Sequence, residues 1–196
     1  MQEMASILLA EHVGATGRVL VLGAGGGLEL KLFAEQHPGW RFLGIDPSAE
    51  MLALARSTLG PLAARVDFHE GYIDTAPVEP FDAATCLLTL HFVPVAERLR
   101  TLVELRRRLK PGAPLVVAHH SFPHSGDEKV RWLRRYAAFA VASGVPATHA
   151  DNAIEAIGAR LPILSPEEDE ALLREAGFGN VELFYAGFTF RGWVAY

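Results

Sequence analysis

Arg18-Val-Leu-Val-Leu-Gly-Ala-Gly-Gly-Gly27 is the stretch that decides the fold of this chain. The apolar run Arg18–Leu22 is typical of a strand that is covered on both faces, as in a parallel sheet. Four glycines follow within five residues, and an apolar helical pattern begins near Leu28. Glycines let backbone N–H groups approach a ligand, and a helix start adds unpaired N–H donors and a positive dipole end. The stretch therefore predicts a strand, a loop for a nucleotide-like ligand and a helix, with an ordinary tight turn as the plainer alternative.

Length and composition indicate one globular domain. The chain has 196 residues, of which 50% are hydrophobic and 21% charged, enough to bury a sizeable core. The net charge of −5 disfavours a nucleic-acid partner. The single cysteine, Cys86, excludes an internal disulfide and suits a reducing compartment. No apolar run approaches the ~20 residues that span a bilayer, and the residues before Ala10 lack the basic segment of a secretory signal, so we expect no membrane contact and a cytoplasmic location.

Strands and helices alternate over the first part of the chain, after a short helix at 5–12. Helices are predicted at Leu28–Gln36, from Pro47-Ser48 to Leu59, and at Val95–Leu109. The strands are predicted at Arg18–Leu22, Arg41–Ile45, Arg65–His69, Phe81–Leu87 and Ala113–Ala118. This alternation implies a parallel sheet with right-handed crossovers and helices on both faces.

The pattern changes after residue 120. Two helices follow in a row at 127–143 and 147–160, and a third begins at Ser165-Pro166, where serine suits the cap and proline the first turn. Two last strands, 180–186 and 188–195, are separated only by a turn near Gly187. So short a connection cannot be a parallel crossover, so the final strand is predicted to run antiparallel. We expect residues 1–196 to form a single domain.

Two ligand classes compete for the glycine loop. Dinucleotide binders use G-x-G-x-x-G, which requires a glycine where this chain has Leu28. The spacing here is Gly23-x-Gly25-x-Gly27 instead. Asp46 ends the second strand, where a carboxylate can accept hydrogen bonds from a ribose diol in either a nicotinamide or an adenosyl cofactor. A plainer role for Asp46 is that of an acid at the start of the next helix.

Short motifs in a fixed order make the chain resemble the class I S-adenosylmethionine-dependent methyltransferases over nearly its whole length. The motifs are Val19–Gly27, Gly44–Ser48 with Met51, Glu70–Asp74, Phe81-Asp82, Leu90–Val93 and Arg107–Gly112. The resemblance implies an α/β fold with a seven-stranded, Rossmann-like sheet of order 3-2-1-4-5-7-6, strand 7 antiparallel. It also implies S-adenosyl-L-methionine as the cofactor.

The resemblance assigns the cofactor site. Its methionine part would lie along the glycine loop, its ribose at the end of the second strand, and its adenine beside the segment after the third strand. The residues so implied are Gly23, Ala24, Gly25, Gly27, Asp46, Pro47, Met51, Gly71, Tyr72, Ile73, Cys86 and Leu87. The chain departs from the family where Val21 and Tyr72 replace two usual acids and where Leu87 replaces a residue that is often polar. We expect the Tyr72 ring to stack on the adenine.

Histidines mark the expected reacting end. Methyl transfer depends mainly on positioning, and a general base is needed only when the acceptor loses a proton. His119, His120 and His124 are expected in a loop after the fifth strand, and His91 follows the fourth, at the sheet edge where ligands bind. His119 and His120 are candidates for catalysis and all four for substrate binding; a polar loop with one packed imidazole is the plainer alternative. We expect no metal site.

A helical insert at about 125–162 takes the place of the family's substrate-recognition segment. Trp132 and Tyr136 are expected to line an acceptor pocket, and the Arg131, Arg134 and Arg135 cluster suits a small acidic acceptor. Core packing and a solvated helix face explain these residues equally well. The expected acceptor is a small acidic or aromatic molecule.

The second half of the chain is similar to carboxy-S-adenosylmethionine synthase. Leu88–Val93, Leu172–Phe178 and the closing hairpin Phe184–Tyr196 carry this likeness. It implies an alternative activity, the transfer of a carboxyl unit from prephenate onto the cofactor. A non-catalytic domain that kept the fold is a second alternative, and a nicotinamide-linked enzyme a distant one. Because the chain starts close to the first strand, we also expect an open cofactor mouth, which a partner subunit of a homodimer would close.

Overall fold

The computed structural model describes the whole chain, Met1–Tyr196, around one seven-stranded sheet of order β3-β2-β1-β4-β5-β7-β6. The first five strands are parallel, and β7 is antiparallel to both β5 and β6. The strands are β1 Gly17–Leu22, β2 Trp40–Asp46, β3 Val66–Glu70, β4 Ala83–Leu87, β5 Leu115–His120, β6 Val181–Gly187 and β7 Phe190–Ala195. The predicted strand order and the antiparallel last strand are confirmed.

Seven helices surround the sheet. They are α1 Gln2–Ala10, α2 Leu28–Gln36, α3 Ala49–Leu59, α4 Val95–Arg108, α5 Asp127–Ala142, α6 Ala147–Arg160 and α7 Pro166–Glu175. The first helix was predicted at 5–12 but lies at Gln2–Ala10. It ends earlier than predicted because the chain turns at residues 11–13 before it enters β1. No helix combines the length and the apolarity that crossing a bilayer requires.

The fifth strand has the predicted length but is shifted by two residues, to Leu115–His120. It runs to His120 rather than Ala118, because β7 pairs with it as far as the His119–Arg191 and His120–Phe190 registers. The prediction that His119 and His120 lie in a loop after this strand was therefore wrong. Their side chains point to opposite faces of the sheet, as consecutive strand residues must.

Two hydrophobic clusters cover the two faces of the sheet. Val19 and Val21 of β1 pack under α1, α2 and α3, whereas Leu20 and Leu22 pack on the opposite face with α4 and α7. This alternation is the period of two that a strand covered on both faces produces. A third and much smaller cluster, Phe122, Leu133 and Ile157, joins α5 and α6.

Serine caps set the starts of two helices. The Ser48 hydroxyl accepts the Met51 N–H at 3.2 Å and so begins α3 directly behind Asp46. Ser165 and Glu168 form a reciprocal capping box at the start of α7, which satisfies two N–H groups that the helix leaves unpaired. The predicted cap at Ser165 is confirmed, whereas the Ser48 cap, at a position predicted only to open the helix, places the start of α3 next to Asp46.

Candidate functional site

Positive φ angles shape the loop between β1 and α2. Gly23, Gly25 and Gly27 have φ of +78°, +48° and +80°, which L side chains rarely adopt. A Cβ on Gly23 would lie 1.9 Å from the Thr89 Oγ1, and one on Gly27 would lie 2.8 Å from the Ala55 Cα. At Gly25 the nearest atom would be the Met51 Cε at 3.7 Å. The outer glycines therefore permit close packing, while the middle one leaves room for a ligand.

The Asp46 carboxylate holds this loop in place. Its Oδ2 accepts the Gly25 N–H and its Oδ1 accepts the Ser48 N–H, each at 2.9 Å. The N–H groups of Gly23 and Ala24 donate to the Ile45 carbonyl. Asp46 therefore fixes the turn before α3, as its plainer role predicted, and its carboxylate also faces the glycine loop. Each carboxylate oxygen can accept a further hydrogen bond, so Asp46 can also receive a ribose diol.

Backbone donors without a partner in the protein lie at the end of the same loop. The N–H groups of Gly26 and Leu28 have no hydrogen-bond partner in the protein. They stand at the N-terminus of α2, where the dipole favours negative charge. This cradle fits a ligand that carries a carboxylate at one end and a ribose at the other.

Exposed apolar side chains surround the loop. Leu28 and Tyr72 are each 68% exposed, and Met51 and Leu88 are 38% and 40% exposed. Leu88 has a φ of +54° without being glycine, a conformation that costs roughly 1–3 kcal/mol and concentrates at functional sites. The Tyr72 ring is free to stack on a flat ligand.

Several residues assigned to the cofactor site lie beneath its surface. Cys86 and Leu87 are 0% and 4% exposed, and Ile73 is 3% exposed. Burial, reinforced by the nearby Glu29, raises the pKa of the Cys86 thiol to about 12. The side chains of Cys86 and Leu87 pack in the core clusters, so these positions can reach a cofactor only through their backbone. Gly71 and Pro47 lie at the surface on either side of Asp46.

His91 and His120 form a buried pair with aromatic neighbours. The His91 Nδ1 accepts the backbone N–H of His120 at 3.3 Å, and the His120 ring stacks on Phe190 with 4.0 Å between centroids. The His120 Nδ1 lies 3.0 Å from the Thr189 hydroxyl, and Tyr136 meets the ring edge-on. Burial, with repulsion from neighbouring histidines, lowers the pKa of His91 to about 3 and that of His120 to about 4. Both imidazoles are therefore neutral near pH 7.

His119 lies on the other face of the sheet. Its Nε2 is 3.1 Å from the Asp169 Oδ2, and the Arg98 Nη1 is 3.5 Å from the Asp169 Oδ1. All three side chains are at most 2% exposed. Sequence reasoning did not single out Arg98 or Asp169; an acid in the capped first turn of α7 was the available signal. His119 thus contacts Asp169 on this face, while its ring centroid lies 6.5 Å from that of His91.

His124 stands outside this group. Its Nε2 contacts the Glu168 Oε2 at 3.0 Å in an open polar depression of about 470 Å³. A second open depression, of about 500 Å³, lies between α1 and the end of α2. Neither depression includes the glycine loop or Asp46, so cavity size does not identify the candidate site; the converging N–H donors and the carboxylate do.

The predicted aromatic residues of the insert take different positions. Tyr136 reaches His120 and Phe190, as an acceptor-lining residue would. Trp132 instead stacks with two guanidinium groups, with the Cζ of Arg135 at 4.8 Å and that of Arg191 at 5.3 Å from its ring centroid. This stack places positive charge beside the aromatic group.

A buried carboxyl at Glu29 was missed from the sequence. Glu29 is 6% exposed in the first turn of α2, and Thr85 on β4 donates a hydrogen bond to its Oε1. Burial raises the pKa of Glu29 to about 8 despite that hydrogen bond. The available signal was an acid between Leu28 and Leu30 on a helix whose inner face is otherwise apolar. No group of three or more His, Cys, Asp or Glu side chains is arranged to hold a metal ion.

Known proteins share this architecture and sequence pattern. The family described as "Methyltransferase domain" matches residues 19–112. The chain is 30% identical, over 98% of its length, to a probable methyltransferase, ltbC, from Aspergillus luteorubrus, and covers 71% of that protein. It is 28% identical, again over 98% of its length, to a carboxy-S-adenosyl-L-methionine synthase from Chromohalobacter salexigens, and covers 73% of it.

A solved structure shows the same fold. The crystal structure of a putative O-methyltransferase from Nostoc punctiforme aligns with a TM-score of 0.72 at 20% identity. The alignment covers 100% of the present chain but 55% of the other. The chain thus spans little more than half of that protein.

Proposed function

Because the chain belongs to the family of S-adenosylmethionine-dependent methyltransferases, we propose that it transfers the methyl group of this cofactor to a small acceptor molecule by in-line displacement. The observation that carries the proposal is the Asp46 carboxylate, which is held against the Gly25 N–H at the mouth of the glycine loop. The bound cofactor supplies a sulfonium that is already a strong electrophile. The protein then has to bind the cofactor and the acceptor, orient them in line, and exclude water.

We assign the cofactor to the cradle between the ends of β1 and β2. Asp46 would accept the ribose hydroxyls, and the free N–H groups of Gly26 and Leu28 would receive the carboxylate of the methionine part. Tyr72 would stack on the adenine, with Met51 opposite the loop. Gly23, Gly25, Pro47 and Gly71 would complete this site, while the buried Ala24, Gly27, Ile73, Cys86 and Leu87 would support it from below.

The acceptor is proposed to lie between β4, β5 and the helical insert. Three neutral polar side chains with aromatic rings contact one another in this region: His91, His120 and Tyr136. With a pKa of about 4, His120 is too weak a base to remove a proton from most acceptors at pH 7. Its role would be to orient the acceptor. The Arg135–Trp132–Arg191 stack supports an acidic or aromatic acceptor.

The alternative activity has one specific support. The likeness to a carboxy-S-adenosyl-L-methionine synthase extends over 98% of the chain. Native mass spectrometry of the purified protein separates the two activities, because a bound cofactor heavier by a carboxyl group is expected only for the synthase. A chain that binds no S-adenosylhomocysteine at millimolar concentration would instead be a non-catalytic member.

Calorimetric titration with S-adenosylhomocysteine tests the site. We expect saturable binding to the unmodified chain and a loss of affinity of roughly 10-fold or more in Asp46→Asn, since the hydrogen bonds of a charged acceptor contribute about 1.5–3 kcal/mol. The matched control is Asp151→Asn, at an exposed acid on α6, which should bind like the unmodified chain. Equal affinity of Asp46→Asn and the unmodified chain would remove Asp46 from the site.

The proposed unit is one domain. We propose that residues 1–196 fold together around the single sheet and that about 125–162 form an insert, because α5 and α6 share their own small cluster. We propose the cytoplasm as the compartment, in keeping with the one buried free cysteine. We propose a small molecule and not a nucleic acid as the acceptor. A homodimer in which the partner subunit covers the exposed side of the glycine loop is compatible with this proposal.

A further inference from the structure

Glu29 is a buried carboxyl with no cationic partner in the protein. Thr85 donates a hydrogen bond to its Oε1. No protein donor reaches its Oε2, and this oxygen is not completely enclosed by the protein. The other buried carboxyl of the chain, Asp169, contacts both Arg98 and His119. One oxygen of Glu29 is therefore available to a ligand.

A carboxyl at this position does not help the fold. An ionised carboxylate buried without a cation is strongly unfavourable. Burial accordingly raises the pKa of Glu29 to about 8, so the group is largely protonated near pH 7. A leucine of similar size would bury apolar surface without that cost. A cation supplied from outside the protein would convert this unfavourable burial into a favourable contact.

The place of Glu29 indicates which cation this is. Thr85 is the register partner of Val21, the strand position that offers no carboxylate of its own. Glu29 brings a carboxyl to this place from α2, two residues after Gly27. The free N–H groups of Gly26 and Leu28 stand at the same helix end. Donors for a carboxylate and a carboxyl that can accept from an ammonium thus lie within four residues at the start of α2, and the amino-acid end of the cofactor requires both.

We propose that Glu29 binds the α-ammonium group of the methionine part of S-adenosylmethionine, in place of an acid on β1. The inference rests on the proposed cofactor site and adds a residue to it. On binding, the Glu29 carboxyl gives its proton to solvent, and the resulting carboxylate accepts a hydrogen bond from the ammonium. The titratable group next to Thr85 on β4, the Cys86 thiol, packs on the opposite face of the sheet and stays neutral because burial raises its pKa to about 12.

Calorimetry in two buffers of different ionisation enthalpy measures the proton released on binding. At pH 7 we expect the unmodified chain to release close to one proton, about 0.9, for each S-adenosylhomocysteine bound. Glu29→Gln keeps an acceptor for Thr85; it should release none and bind this ligand roughly 10-fold or more weakly. The control Glu35→Gln, at an exposed position of the same helix, should behave like the unmodified chain.

A second ligand separates recognition from packing. 5′-Methylthioadenosine lacks the amino-acid part, so Glu29→Gln should bind it as tightly as the unmodified chain does. An equal loss for both ligands would mean that Glu29 only supports the loop, and binding of S-adenosylhomocysteine to the unmodified chain without proton release would also overturn the proposal. If the unmodified chain binds neither ligand, the cofactor site itself is wrong, an outcome distinct from the failure of Glu29 alone.

Discussion

Several single residues in and near the glycine loop act by fixing the conformation of the backbone. Gly23 has to lack a side chain because Thr89 occupies the place of its Cβ, and Asp46 joins the glycine loop to the start of α3. His91 acts in the same way, since its Nδ1 holds the backbone N–H of His120 at the end of β5. That hydrogen bond requires the unprotonated Nδ1, which makes the contact sensitive to acid.

Acid should weaken the fold through His91. Its pKa is about 3 in the folded chain and about 6.5 when unfolded, so between these values the unfolded chain binds the extra proton. Stability is therefore complete above pH 6.5 and is lost as the pH falls. At pH 5 this residue alone should cost about 2 kcal/mol. His120, with a folded pKa of about 4, acts in the same direction.

The test compares urea unfolding at pH 7 and pH 5. Asn at position 91 retains an acceptor for the His120 N–H, so His91→Asn should lose less stability than the unmodified chain over this interval. His149→Asn, at an exposed position of α6, should lose as much as the unmodified chain. An equally steep loss in His91→Asn would show that this imidazole does not resist protonation.

At the scale of elements, the helical insert differs from the rest of the fold. Each of the two main clusters contains 19 buried residues, whereas the α5–α6 cluster contains 3. Aromatic contacts from Tyr136 to Phe190 and from Phe139 to Phe188 tie α5 to the end of the β6–β7 hairpin. So small a core stabilises little, and a segment held in this way opens more readily than the sheet.

Hydrogen exchange should detect this difference. We expect amides of α5 and α6 to be less protected than those of β1 and β4 by roughly 100-fold or more, about 3 kcal/mol in opening free energy. Leu133→Ala, which removes a central side chain of the small cluster, should reduce protection in α5 and α6 and leave β1 unchanged. Equal protection of insert and sheet in mass-spectrometric peptides would contradict this description.

Across the whole molecule, a buried ionic group joins elements that are far apart in sequence. Arg98 belongs to α4, His119 to β5 and Asp169 to α7. Arg98 also donates to the Val93 and Pro162 carbonyls. The group thus fixes the helices of one face to the sheet, directly below the strand end that carries His120.

Asp169→Asn should destabilise the fold strongly, because it leaves Arg98 buried without its anion. Removal of one partner from a buried pair costs roughly 3–5 kcal/mol, measurable by urea unfolding at pH 7. Arg100→Gln breaks a pair whose side chains are 70% and 37% exposed, and such surface pairs contribute about 0–1 kcal/mol. A loss below about 1 kcal/mol in Asp169→Asn would contradict the expectation that buried Arg98 depends on this anion.

The element order, the glycine spacing, the place of Asp46 at the end of β2 and the Ser165 cap followed from the sequence, because periodicity, turn residues and caps act within a few positions along the chain. The antiparallel final strand followed too, since its connection is too short for a crossover. The resemblance to a family supplied the strand order, which is confirmed. Apart from the strand order, these features depend on local sequence pattern and on the length of the connections.

Side-chain pairing was decided only by the tertiary structure. Glu29 meets Thr85 across 56 positions, and His119 meets Asp169, because neighbouring strands, their register and the covering helices bring distant residues together. The continuation of β5 to His120 likewise depends on β7, which comes last in the chain. Strand alternation then sends His119 and His120 to opposite faces. Local sequence determines which segments form helices and strands. The packing of helices and strands against one another determines which charged side chains become buried and paired.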